Sequence, residues 1–379
     1  MSEFDFTRRK NFPGTRGSAF GAALHQFENI ESIPAPLFAA LLILPALIVS
    51  RVDVVSAIVY YFFVLGDWAL LAALPRFRRS FGPSQPPTLL LAALRLPLAL
   101  LPWVAIPIQL AGTALVIYGF WIEPHRLTLT RQTLHSSKLK RDAPALRILH
   151  LGDIHIERMT GREERLIEMV RELAPDLILY SGDFLNLSFV HDETAHRDLR
   201  MLWSQISAPL GVYAVSGSPG VDDPQLLHQL LPSLNIRWLR DQRVTIDKAG
   251  QQIDVVGITC THRPFDDAPR LGQVLGGEPG RFTILLYHTP DLAPEAADLG
   301  IDLQLSGHTH GGQVRLPFYG AIFTSSLYGK KFESGLRRVR DMVLYVTRGI
   351  GMEGKAAPRV RFLCPPEIIL WEIAPAEKD

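Results

Sequence analysis

The sequence predicts two parts of different fold class, an all-α bundle of apolar helices followed by an α/β domain. At 379 residues the chain is long enough for two units of roughly 150 residues each. Charged residues are almost absent from the apolar stretches between positions 33 and 122, whereas the later sequence is an ordinary mixture. From residue 146 onward, strand-like apolar runs alternate with amphipathic segments, which is the pattern of a layered α/β sheet.

The composition excludes some classes of function. Lys and Arg together number 39 and Asp and Glu 38, so the sequence provides no electrostatic case for binding nucleic acid. The two cysteines, Cys260 and Cys364, lie far apart and form no disulfide or CxxC framework. This usage indicates a reducing compartment, or a chain that does not use disulfides.

The apolar stretches have the length of membrane spans. Segment 33–50 has no charged residue, and segment 54–74 has only Asp67. Each is close to the roughly 20 residues that cross a bilayer, and soluble core helices rarely run so long without a polar face. The stretch begins too far into the chain for a cleaved signal peptide, so we expect it to be retained.

Segment 87–122, with Arg95 as its one charge, is compatible with three arrangements. It can form two short helices hinged near its prolines, one long kinked helix, or a re-entrant pair. Basic residues before the first span, after the second and after the last place all three regions on the cytoplasmic side by the positive-inside rule. This requires an even number of crossings, and four spans in two hairpins are therefore predicted. The residues concerned are Arg8, Arg9, Lys10 and Arg16; Arg76, Arg78 and Arg79; and Arg126, Arg131, Lys138, Lys140 and Arg141.

The predicted domain boundaries follow from these stretches. They are an N-terminal cytoplasmic segment over 1–32, a transmembrane region over 33–123, a polar linker over 124–144 and an α/β domain over 145–379. The segment 124–144 can alternatively dock onto the domain. Asp67 is either a functional charge within the membrane or, as we favour, a residue that lies near the interface or is paired inside the bundle. Trp68, Trp103 and Trp121 are expected at the lipid headgroups.

Within the α/β domain, strands are predicted at 146–151, 177–180 and 211–215, and later at 253–258, 283–287, 303–305, 342–346 and 368–373. Helices are predicted at 163–173 and 194–206. Several loops that follow these strands carry Asp and His, and in open α/β sheets that edge binds ligands. The side chains are Asp153 and His155, Asp183, His288, and His308 and His310.

These residue types at this spacing suit a pair of metal ions. Residues i and i+2 of an extended segment point the same way, so each close pair can direct two ligands at one point. Carboxylates with imidazoles bind Mn, Fe or Zn, and two ions can clamp the oxygens of a phosphoryl transfer. Each motif alone also fits a capping pair or a core histidine. The prediction depends on all of them following strands.

From about residue 146 to 373 the chain resembles the calcineurin-like metallophosphoesterases, in particular a bacterial membrane-linked branch. The stretch 306–317, SGHTHGGQVRLP, carries the most specific resemblance. It implies a four-layer α/β/β/α sandwich with two divalent metals of the Mn, Fe or Zn class. It also implies that Asp153, His155 and His310 hold the first metal, that His288 and His308 hold the second, and that Asp183 bridges both. Asp183 and His308 would act in catalysis through a metal-activated hydroxide, and Asn186 would steady the loop after Asp183.

The sequence departs from this family at one motif. Where the family has Gly-Asn-His, this chain has Gly217-Ser218-Pro219. Ser218 is at most a weak metal ligand, and Pro219 can neither ligate nor transfer a proton. Three interpretations remain. The chain is an active enzyme with a weaker second metal that uses water or another residue as acid, an enzyme with one tight metal or an easily displaced leaving group, or a binder without turnover. Candidate substitutes are Asp222, Asp223, His191 and His196.

The function predicted from this resemblance is hydrolysis of a phosphodiester or pyrophosphate. Its substrate would be membrane-associated, for example lipid-linked, and the domain would lie on the cytoplasmic side of the inner membrane. The alternatives are a degenerate binder of a phosphorylated ligand or partner and, last, a transporter with a regulatory domain. The apolar residues after the His-rich loop either line a membrane-facing groove or pack in the core; they are Phe318, Tyr319, Ile322, Phe323 and Tyr328.

Overall fold

The computed structural model describes residues 26–101 and 105–376. The basic residues Arg8, Arg9, Lys10 and Arg16, and the expected interfacial Trp103, lie outside the described residues.

The N-terminal part of the described chain is helical and apolar. Its helices are α1 (Ala35–Leu41), α2 (Ile43–Ser50), α3 (Val54–Ala73), α4 (Gln85–Ala99) and α5 (Ala105–Ile117). Two helical stretches are long and apolar enough to cross a membrane, Val54–Phe77 and Ile106–His125. A third is counted only if Gln26–Ser32 and Ala35–Ser50, bent by 117°, form one broken span.

The four predicted spans are therefore not all of spanning length. Segment 87–122 does divide into two helices, but α4 has only 15 residues. At 1.5 Å per residue it is roughly 22 Å long, shorter than the roughly 30 Å of a bilayer core.

Buried charge in the bundle is paired, as we favoured for Asp67. The guanidinium of Arg95 donates to both Asp67 oxygens at 2.6 and 2.8 Å. It also donates to the Gln109 carbonyl and side-chain oxygens, each at 2.8 Å, and to the Thr113 hydroxyl at 2.9 Å. These contacts tie α3, α4 and α5 together.

The remainder is a mixed α/β domain. Its α-helices are α6 (Gly161–Leu173), α7 (Glu193–Trp203), α8 (Pro224–Leu230), α9 (Pro264–Leu275) and α10 (Ala293–Asp298). Its strands are β1 (Thr128–Ser136), β2 (Leu146–Leu151), β3 (Leu177–Tyr180), β4 (Val212–Ala214), β5 (Arg237–Trp238), β6 (Gln242–Lys248), β7 (Gln251–Gly257), β8 (Thr283–Leu286), β9 (Leu303–Ser306), β10 (Arg315–Leu316), β11 (Gly320–Ala321), β12 (Gly335–Val339), β13 (Met342–Val346) and β14 (Glu367–Pro375).

Local sequence signals explain the first helices of this domain. Thr160 and Glu163 form a reciprocal capping box at the start of α6, which satisfies backbone amides that the helix leaves unbonded. The side chain of Asp192 accepts from the Ala195 amide at the start of α7.

Two six-stranded sheets form the framework, with strand orders β1-β14-β2-β3-β4-β5 and β12-β13-β9-β8-β7-β6. Strands β2, β3, β4 and β5 are parallel to one another, as are β7, β8, β9 and β13. The pairs β14 with β2, β6 with β7 and β12 with β13 are antiparallel. The carboxyl ends of these parallel strands lie at one edge of each sheet.

Three buried apolar clusters hold the domain together. One contains residues of both sheets, including Ile148 and Ile284. A second joins the first sheet to α6, α7 and α8, and a third joins the second sheet to α9 and α10. Each sheet thus packs helices on one face and shares a core on the other.

The central part of the segment predicted as a linker, 124–144, docks onto the α/β domain. Residues Thr128–Ser136 form β1, which pairs in parallel with β14 through nine residues, from Thr128 with Glu367 to Ser136 with Pro375. The strand was not recognised because it lies at a sheet edge, where none of its residues is buried, so its sequence carries no apolar run. Sequence reasoning also missed β5, β6, β10, β11 and β12, which have few buried residues or none.

Candidate metal centre

The predicted Asp and His ligands converge where parallel strands of both sheets end. Asp153 follows β2, Asp183 follows β3, and His288 follows β8. The structure brings all six side chains into one buried cluster, with relative exposures of 0 to 6%. Two groups of these side chains have ligand atoms all within 4.8 Å of one another: Asp153, His155 and His310, and Asp153, Asp183 and His288. A third such group combines His288 and His308 with a further histidine, His262.

Two histidine nitrogens face each other in the first group. The Nε2 atoms of His155 and His310 lie 3.0 Å apart, and the rings stack with centroids 4.8 Å apart. The His155 Nδ1 lies 3.2 Å from the Leu185 carbonyl, to which only a protonated nitrogen can donate. Its Nε2 therefore carries a lone pair when the ring is neutral, directed at the same point as His310.

Asp183 lies between the two halves of the cluster. Its Oδ2 is 3.3 Å from Nε2 of His155 and 3.3 Å from Nε2 of His288. The His288 ring is fixed in the same manner as that of His155, because its Nδ1 lies 2.8 Å from the Ser181 carbonyl. Both rings thus direct Nε2 at one carboxylate oxygen, the arrangement that a bridging ligand requires.

The electrostatics of the cluster favour cations. Although burial opposes a charge on His155 and His288, the Asp183 carboxylate raises the pKa of each to about 9. Burial and neighbouring histidines lower the pKa of His308 and His310 well below their usual range, which keeps both rings neutral and able to bind a metal. Burial, together with the neighbouring Asp183 carboxylate, raises the pKa of Asp153 to about 6. Two buried carboxylates draw positive charge inward, and metal ions replace ligand protons in such sites.

The backbone around the cluster is strained. Non-glycine residues seldom adopt positive φ, and each instance costs about 1–3 kcal/mol, so such residues concentrate at functional sites. Five of the six predicted ligands adopt it, with φ of 49° at Asp153, 43° at His155, 63° at Asp183, 71° at His308 and 51° at His310.

Two glycines permit the close approach of these loops. A Cβ at Gly217 would lie 2.1 Å from the Asp183 Oδ1, and one at Gly307 would lie 2.5 Å from the Asp153 Oδ2. Either contact is too short for a real side chain. These glycines of the Gly-Ser-Pro and Gly-His-Thr-His motifs therefore let the carboxylates sit against backbone.

Ser218 lies in the cluster, where the family has asparagine. Its hydroxyl is 3.1 Å from Nε2 of His288 and 3.3 Å from Oδ2 of Asp183, and its amide donates to Oδ1 of Asp183 at 2.6 Å. Pro219 adds no polar side-chain group. The replacement of the family's Asn-His by Ser218-Pro219 therefore lies within the candidate metal-binding cluster.

None of the four suggested substitutes rebuilds the broken motif in the described chain. The Asp222 carboxylate accepts from the backbone amides of Asp183, Phe184 and Gly217 at 2.7–3.0 Å. It holds the two loops together and is turned to amides, not to the histidines. The other three lie outside the three ligand groups: Asp223 caps α8, His196 bonds the Val190 carbonyl at 2.8 Å, and His191 is exposed.

Asn186 touches backbone and an arginine. Its amide donates to the Met352 carbonyl at 2.9 Å, and its oxygen accepts from the Ser188 amide at 2.9 Å. The Arg359 guanidinium also donates to that oxygen, at 3.3 Å. Asn186 thus fixes the loop that follows Asp183 to the segment after β13.

Sequence reasoning missed His262. It follows β7 at the same sheet edge as the other side chains, is 5% exposed, and forms a ligand group with His288 and His308. The signal was a single Thr-His pair a few residues beyond a predicted strand, which belongs to no motif of the resembled family.

The residues present fit divalent metal binding. Buried carboxylates and imidazoles with lone pairs directed inward are the donor set for Mn, Fe or Zn. Asp183 contacts both His155 and His288.

The comparisons with known proteins agree with this geometry. The family model described as calcineurin-like phosphoesterase matches residues 146–312. The uncharacterized metallophosphoesterase YkuE of Bacillus subtilis is 30% identical over 265 residues, covering 68% of this chain and 88% of the relative. Phosphodiesterase YaeI of Escherichia coli is 28% identical, covering 68% and 92%. The UDP-2,3-diacylglucosamine pyrophosphatase LpxG of Chlamydia trachomatis is 25% identical, covering 67% and 91%. The chain therefore belongs to the calcineurin-like metallophosphoesterase family.

Proposed function

We propose that the protein is a metal-dependent phosphodiesterase or pyrophosphatase that acts on a membrane-associated substrate. The observation that carries the proposal is the buried cluster in which Asp183 Oδ2 lies 3.3 Å from the Nε2 atoms of both His155 and His288. The relatives named phosphodiesterase and pyrophosphatase support the reaction class.

The ligand assignment follows from the groups of the cluster. Asp153, His155 and His310 would hold the first metal, and His288 and His308 the second, with Asp183 shared and Ser218 as a weak oxygen donor. When bound, two such metals lower the pKa of an attacking water and stabilise the charge on phosphoryl oxygens. Asp183 and His308 would therefore lie nearest the reacting atoms.

The protein residues position and insulate this chemistry. Asp222 holds the Asp183 and Ser218 loops through backbone amides, and the buried Asp153 accepts the His308 amide at 3.0 and 3.1 Å. Pro219 provides no proton for the leaving group. We infer that the reaction relies on a leaving group stable as an anion, such as an aryl oxide or a phosphate, or on solvent for that proton.

We also propose that the metal centre lies on the side of the membrane where the bundle starts, where α3 ends and where α5 ends. The start of the bundle contacts the domain, since Glu28 lies 3.4 Å from Lys355. The residues after α3 do as well, since the Phe81 amide donates to Glu157 at 2.7 Å. After α5, Gly119 accepts from the Arg361 amide at 2.9 Å.

These contacts support two hairpins that leave and return to the domain side. With the basic residues Arg76, Arg78 and Arg79 on that side, the positive-inside rule supports a cytoplasmic domain at the inner membrane. The three apolar clusters support the four-layer α/β/β/α sandwich.

An exposed apolar hairpin supports a membrane-associated substrate. Strands β10 and β11 follow the His-rich loop directly, and apolar side chains within this hairpin and just after it face solvent. Leu316, Phe318, Tyr319, Ile322 and Phe323 are 47 to 110% exposed. Core packing is therefore excluded for these residues, whereas Tyr328 packs against the cluster of the second sheet.

The hairpin lies beside the apolar helices. The Arg315 amide donates to the Phe362 carbonyl at 2.9 Å, and the Phe362 ring packs edge-on against Tyr118 at the end of α5. The Lys330 ammonium lies 3.2 Å from the centroid of the Tyr319 ring. Apolar side chains flanked by lysine suit the boundary between acyl chains and anionic headgroups.

A second candidate function is supported by Ser218 and Pro219. A chain that retains the cluster but lacks the amide and imidazole of the usual motif can bind a phosphorylated ligand without turning it over. The two functions differ in turnover and not in metal content.

The first test is turnover of bis-p-nitrophenyl phosphate by the full chain in detergent with Mn²⁺, paired with a count of metal per chain. We expect metal-dependent turnover that Asp183→Ala abolishes. Bound metal without turnover, on this substrate and on a nucleotide-sugar pyrophosphate, would favour the binder. No bound metal would overturn the site itself.

The second test addresses the substrate. Phe318→Ser should lower turnover of a lipid phosphodiester in anionic vesicles several-fold and leave bis-p-nitrophenyl phosphate turnover unchanged. Met201→Ser, which also alters an exposed apolar side chain, is the matched control on α7. An equal effect of Phe318→Ser on both substrates would contradict a lipid-facing role.

A further inference from the structure

We propose that His262 is a ligand of the second metal and replaces the amide ligand that Ser218 does not provide. This inference rests on the proposed metal-dependent function.

His262 lies at the sheet edge that carries the other proposed ligands. It belongs to the loop between β7 and α9, and β7 is parallel to β8. Because β8 leads to His288, both loops leave neighbouring strand ends on the same side of the sheet. His262 therefore reaches the cluster from a loop that carries none of the six predicted ligands.

The distances place the His262 ring with the two histidines assigned to the second metal. Ring centroids of His262 and His308 are 4.5 Å apart, and those of His262 and His288 are 6.0 Å apart. One ring nitrogen of each of the three histidines lies within 4.8 Å of the others. Three imidazole nitrogens at such separations can share a single ion.

The loop is fixed by a buried carboxylate. Asp267 is fully buried and accepts from the Thr261 amide at 2.9 Å and the Thr261 hydroxyl at 2.7 Å. It also accepts from the Tyr287 hydroxyl at 2.6 Å. Since Thr261 and Tyr287 immediately precede His262 and His288, one carboxylate sets the positions of both histidines.

The backbone of His262 matches that of the proposed ligands. Its φ is 60°, within the range of 43° to 71° found at Asp153, His155, Asp183, His308 and His310. A histidine held in this costly conformation beside the cluster fits a functional role better than a packing role.

The chemistry explains why the replacement is adequate. The Ser218 side chain is short, and its hydroxyl is 3.1 Å from His288 and 3.3 Å from Asp183. With His262 the second position has three imidazoles and the shared carboxylate, a four-ligand set suited to Zn²⁺. The first position has two carboxylates and two imidazoles, and carboxylates favour Mn²⁺ more than imidazoles do. The two positions should therefore differ in metal preference.

The test is metal binding to the full chain in detergent. Metal-free protein is titrated with Zn²⁺ and, separately, with Co²⁺, whose visible absorption reports the ligand set. We expect two ions per wild-type chain. In His262→Ala one ion should bind as tightly as in the wild type, while the affinity for the second ion should fall by about 10-fold to 100-fold or more. Even the loss of a residue that only supports a ligand typically has an effect of this size.

Control variants distinguish the loss of a metal ligand from an effect on folding. The exposed His191→Ala should bind two ions as wild type does, and His262→Phe keeps the ring volume without a nitrogen and should behave as His262→Ala. Adding Ser218→Asn to His262→Ala restores the amide and should recover the second ion.

The outcomes distinguish this inference from the proposed function. Two ions of unchanged affinity in His262→Ala and His262→Phe would overturn the role of His262 and leave the two-metal enzyme intact. If those variants kept both ions and lost only turnover of substrates with poor leaving groups, His262 would be a proton donor and the inference would also fail. No ion in the wild type would overturn the proposed function itself.

Discussion

The bundle and the α/β domain bury charge in opposite ways. In the bundle, the Arg95 guanidinium is paired with Asp67 and bonded to the Gln109 and Thr113 oxygens, so each of these two buried charges has a protein partner. In the metal centre, Asp153 and Asp183 face histidine nitrogens, and Nε2 of His155 lies 3.0 Å from Nε2 of His310.

This difference separates a structural network from a binding site. A closed set of hydrogen-bonded charges needs nothing further, and removal of one member leaves the other buried and unpaired. A set of converging lone pairs and carboxylates is stabilised by a cation from outside. Both clusters are deeply buried, so burial alone would not distinguish them.

The largest effect is expected from Asp183→Asn. The neutral amide removes the shared charge from both metal positions, and metal assistance is worth several kcal/mol of transition-state stabilisation, so turnover should fall at least about 10³-fold. Metal content per chain, measured by mass spectrometry, should fall with it while circular dichroism stays unchanged. Retained metal with normal turnover would show that Asp183 bridges nothing.

Arg95→Leu should unfold the bundle more readily without affecting the metals. It leaves Asp67 buried and unpaired, a loss of about 3–5 kcal/mol. Thermal unfolding in detergent should show the drop, and the double variant Asp67→Leu/Arg95→Leu should recover most of it. A loss of metal in Arg95→Leu would contradict the separation of the two clusters.

Removal of metal should destabilise the α/β domain alone. Ligand at about 100 times its dissociation constant stabilises the native state by about 2.7 kcal/mol. A chelator should therefore lower the unfolding temperature of wild type and leave that of Asp183→Asn unchanged. An equal shift in both proteins would mean that the metal binds elsewhere.

Glu157→Gln tests the joint between the two regions. Glu157 accepts from the Phe81 amide and from the Arg359 guanidinium, each at 2.7 Å. Loss of its charge leaves Arg359 buried without an anion and should cost about 2 kcal/mol of unfolding free energy. Protease cleavage near residues 78–84 should become faster while metal content is kept, and unchanged cleavage would indicate that the joint depends on other contacts.

The sequence predicted the inner strands of the domain and the convergence of its ligands. Strands β3, β8 and β13 are nearly continuous apolar runs because both of their faces are buried, and β2 is apolar apart from Arg147 and His150. The ends of β2, β3 and β8 carry Asp and His, so locating these strands also located Asp153, Asp183 and His288.

Sequence reasoning failed where burial leaves no pattern. Strand β1 has no buried residue, so its alternation of threonine with leucine and arginine was interpreted as a linker. His262 lies in no motif, and only the pairing of β7 with β8 brings it beside His288. The apolar composition predicted a helix at α4. Its length of 15 residues could not be predicted, because the sequence left three arrangements of segment 87–122 open.

The measurement that tests the central claim most directly is anomalous X-ray scattering from crystals of the full chain grown with Mn²⁺. The account predicts two peaks roughly 3.5–4 Å apart, one beside Asp153, His155 and His310 and one beside His288 and His308, with Asp183 contacting both. No peak within this cluster at millimolar Mn²⁺ would contradict it.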